Sequence, residues 1–163
     1  MYLFCKDQCI DICCKNTSPY VRLAAEDLKK DFARVSTRRV TPLSVDSETD
    51  WCIVIEENYD ADGCEPLKNE WFHIKSENQK IIISAGGYLG TMWGIYTFSQ
   101  RFLNVDPCYL FNDLEPQKVE KIEVGNIDLQ DEPKSFGFRG IFINDEDLLT
   151  GWKVGGGMRY TDY

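Results

Sequence analysis

The stretch QKIIISAGGYLGTMWGIYTFSQRFL, residues 79–103, constrains the fold more than any other part of the chain. Ile81, Ile82 and Ile83 make a β-branched run, long enough for a strand and too short for a helix. Gly86 and Gly87 then let the backbone turn sharply. From Tyr88 the spacing becomes helical: Leu89, Met92, Trp93, Tyr96 and Phe102 recur at helical intervals, and Ile95 and Phe98 widen the stripe. Burying roughly five to seven such side chains is worth about 10–15 kcal/mol before chain entropy is subtracted. Gly90 and Gly94 stand four apart inside this helix, on one face. Each costs about 1 kcal/mol relative to alanine. Two on one face predict that a neighbouring backbone, the sheet, comes very close there.

Taken in order, the chain opens with a weakly alternating strand over residues 8–14, QCIDICC. Ser18 as cap and Pro19 at the first helical position start a helix. Val21, Ala24, Leu28, Phe32 and Val35 form its apolar stripe, with Asp27, Lys29, Lys30 and Asp31 expected in water. A short strand limited by Pro42 follows in TRRVTPLSV, and a stronger one in DWCIVIEE. Residues 70–76 and 80–85 read as an antiparallel hairpin turning at Glu77-Asn78-Gln79. After the glycine-bearing helix come a short extended piece at 108–113, a strand near 121–124, and a turn-rich linker, NIDLQDEPKS. A last hydrophobic strand, FGFRGIFI, ends in Asn144-Asp145-Glu146-Asp147. This is an α+β pattern: a mixed sheet with two main helices packed on one face.

The composition narrows the function. At 163 residues with 43% hydrophobic side chains the chain can bury a real core. Its net charge of −9 argues against a nucleic-acid partner, which needs clustered Lys and Arg. No apolar run approaches the ~18 residues of a membrane span, and Lys6 and Asp7 interrupt any signal-peptide core. Seven cysteines include no CxxC pair. Cys5, Cys9, Cys13 and Cys14 lack zinc spacing and a supporting histidine, so reduced, mostly buried thiols in a cytoplasmic protein are expected, with no metal and no cofactor.

Three stretches invite chemistry. Ala85-Gly86-Gly87-Tyr88-Leu89-Gly90 lies where a dinucleotide fingerprint would, with Asp113 about twenty residues on; but alanine replaces its first glycine, and the preceding strand sits in a hairpin. His73, the only histidine, sits mid-strand with no nucleophile motif, which reads as a strand histidine at the surface or in a satisfied core position rather than a catalytic one. The third is Asn144-Asp145-Glu146-Asp147. Three carboxylates and an amide at a strand end suit sugar hydrolysis or metal chemistry, and equally suit the first turn of a helix.

The order of strand, GGYLGTMWGIYTFSQRFL helix, Pro107, aromatic strand and FRGIFINDED resembles the N-terminal region of large carbohydrate-active enzymes. The nearest likeness is to glycoside hydrolase families 115 and 67, the α-glucuronidases, with a layout similar to the accessory domain of the family 20 β-hexosaminidases. The resemblance covers roughly residues 8–150, and Arg139-Gly140-Ile141-Phe142-Ile143-Asn144-Asp145-Glu146-Asp147 is its most specific part.

The resemblance implies an accessory α/β domain over 1–133. A linker and the first strand of a truncated (β/α)8 barrel would then occupy 134–163, since a whole barrel needs about 250 residues. Asn144, Asp145 and Glu146 become substrate-pocket candidates, with no catalytic residue in this fragment. The implied partners are the missing barrel and, through it, a carbohydrate. Phe138, Ile141 and Phe142 would otherwise lie across the domain or join a homodimer through 137–163. The rival readings are a stand-alone carbohydrate-binding or interaction module, and a nucleotide-binding domain.

Overall fold

The computed structural model of the chain describes residues 2–4, 10–16, 18–37, 39–46, 52–56, 70–109 and 115–131. The chain divides after Pro133, and the described residues all belong to the unit before that point. The final hydrophobic strand and Asn144, Asp145, Glu146 and Asp147 lie outside the described residues, as do Cys5, Cys9 and Asp113.

The elements run β1 (Tyr2–Phe4), β2 (Ile12–Cys14), α1 (Pro19–Val35), β3 (Cys52–Ile55), β4 (Phe72–Glu77), β5 (Lys80–Ala85), α2 (Tyr88–Phe102), β6 (Ile122–Val124) and β7 (Asp128–Asp131). The main sheet has the order β2-β3-β5-β4-β7. Its first three strands are parallel, and β4 and β7 continue it antiparallel. The fold is therefore α+β with a mixed sheet, as the pattern of elements predicts. β1 and β6 form a separate antiparallel pair.

Register places one apolar row across the whole sheet: Cys14, Ile55, Ile83, Ile74 and Leu129. With Ile12, Ile53, Ile81 and Phe72 it faces the core shared with α1 and α2. The alternate residues, Cys13, Cys52, Val54 and Ile82, form a smaller cluster on the other face. Adjacent Cys13 and Cys14 thus point to opposite sides, as neighbours in a strand must, and cannot jointly hold an ion. Cys13, Cys14 and Cys52 are buried thiols outside any disulfide among the described residues, and Cys108 is exposed.

The hairpin forms as its sequence predicts. Asn78 and Gln79 take φ of 48° and 66°, the two left-handed residues of a type I′ turn, whose twist matches that of paired strands. α1 also matches expectation at its start and stripe: Val21, Ala24, Leu28, Phe32 and Val35 are all buried.

Other expectations need correction. Ser18 makes no side-chain capping bond, and its buried hydroxyl has no partner. Asn16 acts instead, its Oδ1 accepting the Ser18 N–H at 2.9 Å. The segment with Pro42 is no strand; it makes isolated bridges, Val40 to Ile10 just before β2 and Ser44 to Cys13 within it, because proline supplies no N–H to continue a ladder. Cys108 is in a turn, its N–H donating to Asp106 Oδ1 at 2.7 Å, rather than in an extended piece. NIDLQDEPKS contains the edge strand β7 rather than being linker throughout, with backbone pairing to β4 supplying what its polar sequence lacks. Asp31 is 5% exposed rather than facing water, because that side of α1 meets α2.

Candidate functional site

The glycine-bearing turn shows where a close approach is used. A Cβ on Gly90 would stand 2.3 Å from the Trp71 carbonyl oxygen; one on Gly94 would stand 2.9 Å from Ile83 Cγ2. The same Trp71 carbonyl accepts the Gly86 N–H at 3.2 Å. Trp93 Nε1 donates to Glu70 Oε2 at 3.0 Å, pinning the chain just before β4 against the helix. The space that a pyrophosphate would need beside Gly90 is filled by protein backbone. The two glycines therefore do the packing work expected of them.

Their packing sets which of α2's large side chains reach the core. Gly90, Thr91, Gly94, Ile95, Phe98 and Ser99 are the buried residues. Leu89, Met92 and Trp93 are half-buried, and Tyr96 is 37% exposed. Of the large side chains prominent in the sequence, Ile95 and Phe98 lie in the core and Met92, Trp93 and Phe102 pack at its margin, while Leu89 and Tyr96 turn away from it. The reason is distance: only the small face lets the helix descend onto Trp71 and Phe72.

Between the helices lies a cluster of polar groups. Tyr96 donates its hydroxyl to Asp27 Oδ2 at 3.0 Å, and Lys30 Nζ donates to Asp27 Oδ1 at 2.8 Å. Arg34 Nη1 donates to Asp31 Oδ1 at 3.1 Å, and its guanidinium stacks 4.5 Å above the Tyr109 ring. Burial pushes the Asp31 carboxyl above the usual range, opposed by the nearby Ser99 hydroxyl and by Arg34. Burial and then Asp27 push the Tyr96 phenol well above its ordinary value, so it remains a neutral donor. Each acid here has a cation or hydroxyl beside it. The arrangement joins two helices, with no free acid–base pair aimed at open space.

His73 lies on the sheet face away from the helices, half-buried, with Nε2 2.7 Å from Asp128 Oδ1 on β7. It is the partnered strand histidine expected from sequence. An open groove of about 1090 Å³ passes the C-terminal end of α2, among Arg101, Asn104, Asp106, Glu115 and Lys121. Lys121 is already paired with Glu123, so this groove offers hydrogen bonds and little net charge. Among the described residues, none of these arrangements is a catalytic constellation. Sequence reasoning missed the seam at Asp31, whose only signal was an acid one position from the apolar stripe.

No helix among the described residues is long and apolar enough to cross a membrane. No protein-family model matches the chain, and no curated protein matches it. Solved structures do. One is a family GH115 4-O-methyl-α-glucuronidase with specificity for decorated arabinogalactans; it is 25% identical, with a TM-score of 0.73, over 93% of this chain and 21% of that one. Another is a GH138 enzyme targeting the pectin rhamnogalacturonan II, 16% identical with a TM-score of 0.44 over 58% of this chain and 14% of that one. The chain spans about a fifth of the length of the GH115 enzyme. Over 93% of its length the chain is thus GH115-like, with a mixed sheet and two helices on one face, and is related to glycoside hydrolases.

Proposed function

We propose that the chain is the non-catalytic N-terminal domain of an α-glucuronidase-like glycoside hydrolase, packing on a (β/α)8 catalytic barrel. The observation that carries this reading is the likeness to the GH115 enzyme, which takes in 93% of this chain and only 21% of the neighbour. Residues 1–133 form the accessory domain, and 134–163 the linker and opening of the barrel. Asn144, Asp145 and Glu146, at the end of FRGIFI, then belong to the sugar pocket, because barrel enzymes place their sites at the C-terminal ends of strands. They bind or orient the sugar, while acid and base come from later strands. The substrate class is a plant polysaccharide fragment bearing glucuronic acid or a relative of it, and the enzyme works in the cytoplasm.

The first test is to read the coding frame past Tyr163. A continuation with alternating strand and helix patterns is expected, and a stop codon there would end the proposal. The second is turnover: the pure 163-residue chain should leave aryl glycosides and aldouronic acids intact, whereas the longer protein should cleave one of them. Sedimentation at several concentrations then tests whether 137–163 joins two copies when no barrel is present.

A further inference from the structure

The outermost strand of the sheet is also its least apolar. β7 reads Asp-Leu-Gln-Asp; Leu129 is half-buried and the other three residues are exposed. β3, at the interior of the sheet, is buried at all four positions. β7 is held by half-buried Leu129, by the buried Ile127 side chain just before it, by backbone pairing along β4 and by polar contacts that include two clips. In one, the Ser76 N–H donates to the Ile127 carbonyl at 2.9 Å while the Ile127 N–H donates to Ser76 Oγ at 2.8 Å. In the other, His73 Nε2 meets Asp128 Oδ1 at 2.7 Å. The residues leading in, Gly125 and Asn126, are exposed, and a Cβ on Gly125 would meet nothing within 4 Å.

Edges of this kind open at a fraction of the cost of global unfolding, since of the released segment only Ile127 and Leu129 carry apolar surface out of the core. What opens here is specific. Releasing β7 bares the N–H and C=O groups of β4 from Phe72 to Lys75, together with the Ser76 and His73 clips and the half-buried site of Leu129. A bared strand edge is a template for an extended chain: backbone bonds give affinity, and alternate side chains give selectivity.

We propose that the outer edge of β4 is a strand-addition site which β7 occupies in cis. In trans it takes an extended peptide of β7's own chemistry, with a carboxylate against His73 and an aliphatic side chain at the next position, on the core side. β7 then acts as an autoinhibitory strap whose release admits the ligand.

The test uses the whole 163-residue chain and a fluorescent peptide of sequence Gly-Asn-Ile-Asp-Leu-Gln-Asp. Asp128→Ala with Leu129→Ala loosens the strap and leaves β4 untouched. The peptide should bind this variant about tenfold or more tightly than the unaltered chain, because apparent affinity scales with the open fraction. Adding His73→Ala should weaken that binding again. Amide exchange supplies the second readout: the β7 amides and those of the β4 edge should lose protection before those of β3 and β5. Equal peptide affinity in variant and parent overturns the proposal, and so does protection of β7 matching that of β3.

Discussion

α1 and α2 pack on the same face of one sheet and against each other, yet they reach it by different means. α1 descends through bulk: Leu28 and Phe32 are wholly buried, and the apolar stripe of the sequence is the stripe in the core. α2 descends through absence of bulk. Gly90 and Gly94 let its axis approach until the Trp71 carbonyl and the Phe72 side chain fill the contact, while Leu89 and Tyr96 stand partly in solvent. The difference teaches that the largest side chains mark the buried face only where nothing else needs the space. Where a backbone must come within contact distance, small residues decide the orientation and the large ones go where they can.

The comparison can be broken at its strongest points first. Phe32→Ala should cost about 3–5 kcal/mol, the usual loss for an aromatic removed from a packed core, read as a shift in denaturant midpoint. Gly90→Ala should cost roughly 3 kcal/mol despite alanine's better helix propensity, because the new methyl meets a backbone carbonyl that cannot rotate away. Gly94→Ala should cost only about 1 kcal/mol, since its first obstacle is a side-chain methyl of Ile83. If the two glycine variants lose the same stability, the carbonyl contact is not what orients α2. On the other face of α2, Leu89→Ala should cost less than about 1 kcal/mol, several times less than an alanine at fully buried Leu28.

Two smaller effects sharpen the contrast at the ends and seam of α1. Asp31 has its carboxyl pushed upward by burial, so the folded state holds that proton more tightly than the unfolded chain. Stability from this group is therefore greatest at low pH and is lost as pH rises from the ordinary carboxyl value of 3.8 through the raised one. Asp31→Asn should gain on the parent as pH rises above 3.8 in parallel urea titrations; a constant difference between them would contradict the buried charge. Ser18→Ala should change stability by less than about 0.5 kcal/mol, against the ~1 kcal/mol usual for a lost cap. The hydroxyl removed has no partner, and Asn16 already accepts the Ser18 N–H.

What was legible in the sequence follows the same logic. The hairpin, the α1 stripe and β3 were readable because period, turn residues and apolar content agree locally. β7 was not, since one leucine among acids carries no strand signal until β4 offers it a ladder. The strand near 121–124 was readable and is β6, but its partner β1, three residues long, is too short for periodicity to show. Asp31 went unread because burial at a helix–helix seam depends on a neighbour more than sixty positions away. The acids after FRGIFI, the pocket candidates of the sequence, lie outside the described residues, whereas the glycine turn and His73 are parts of the scaffold.

The mixed direction of the sheet has a kinetic consequence. β4, β5 and α2 follow one another with a two-residue turn and a two-glycine connection, so their contacts close short loops at small entropic cost. β2 and β3 must find each other in parallel across the whole of α1 and the segment after it. Proteins assemble faster where contacts are local. The antiparallel half is thus the natural nucleus for refolding, and the parallel half condenses onto it, with the last edge strand arriving when both are in place.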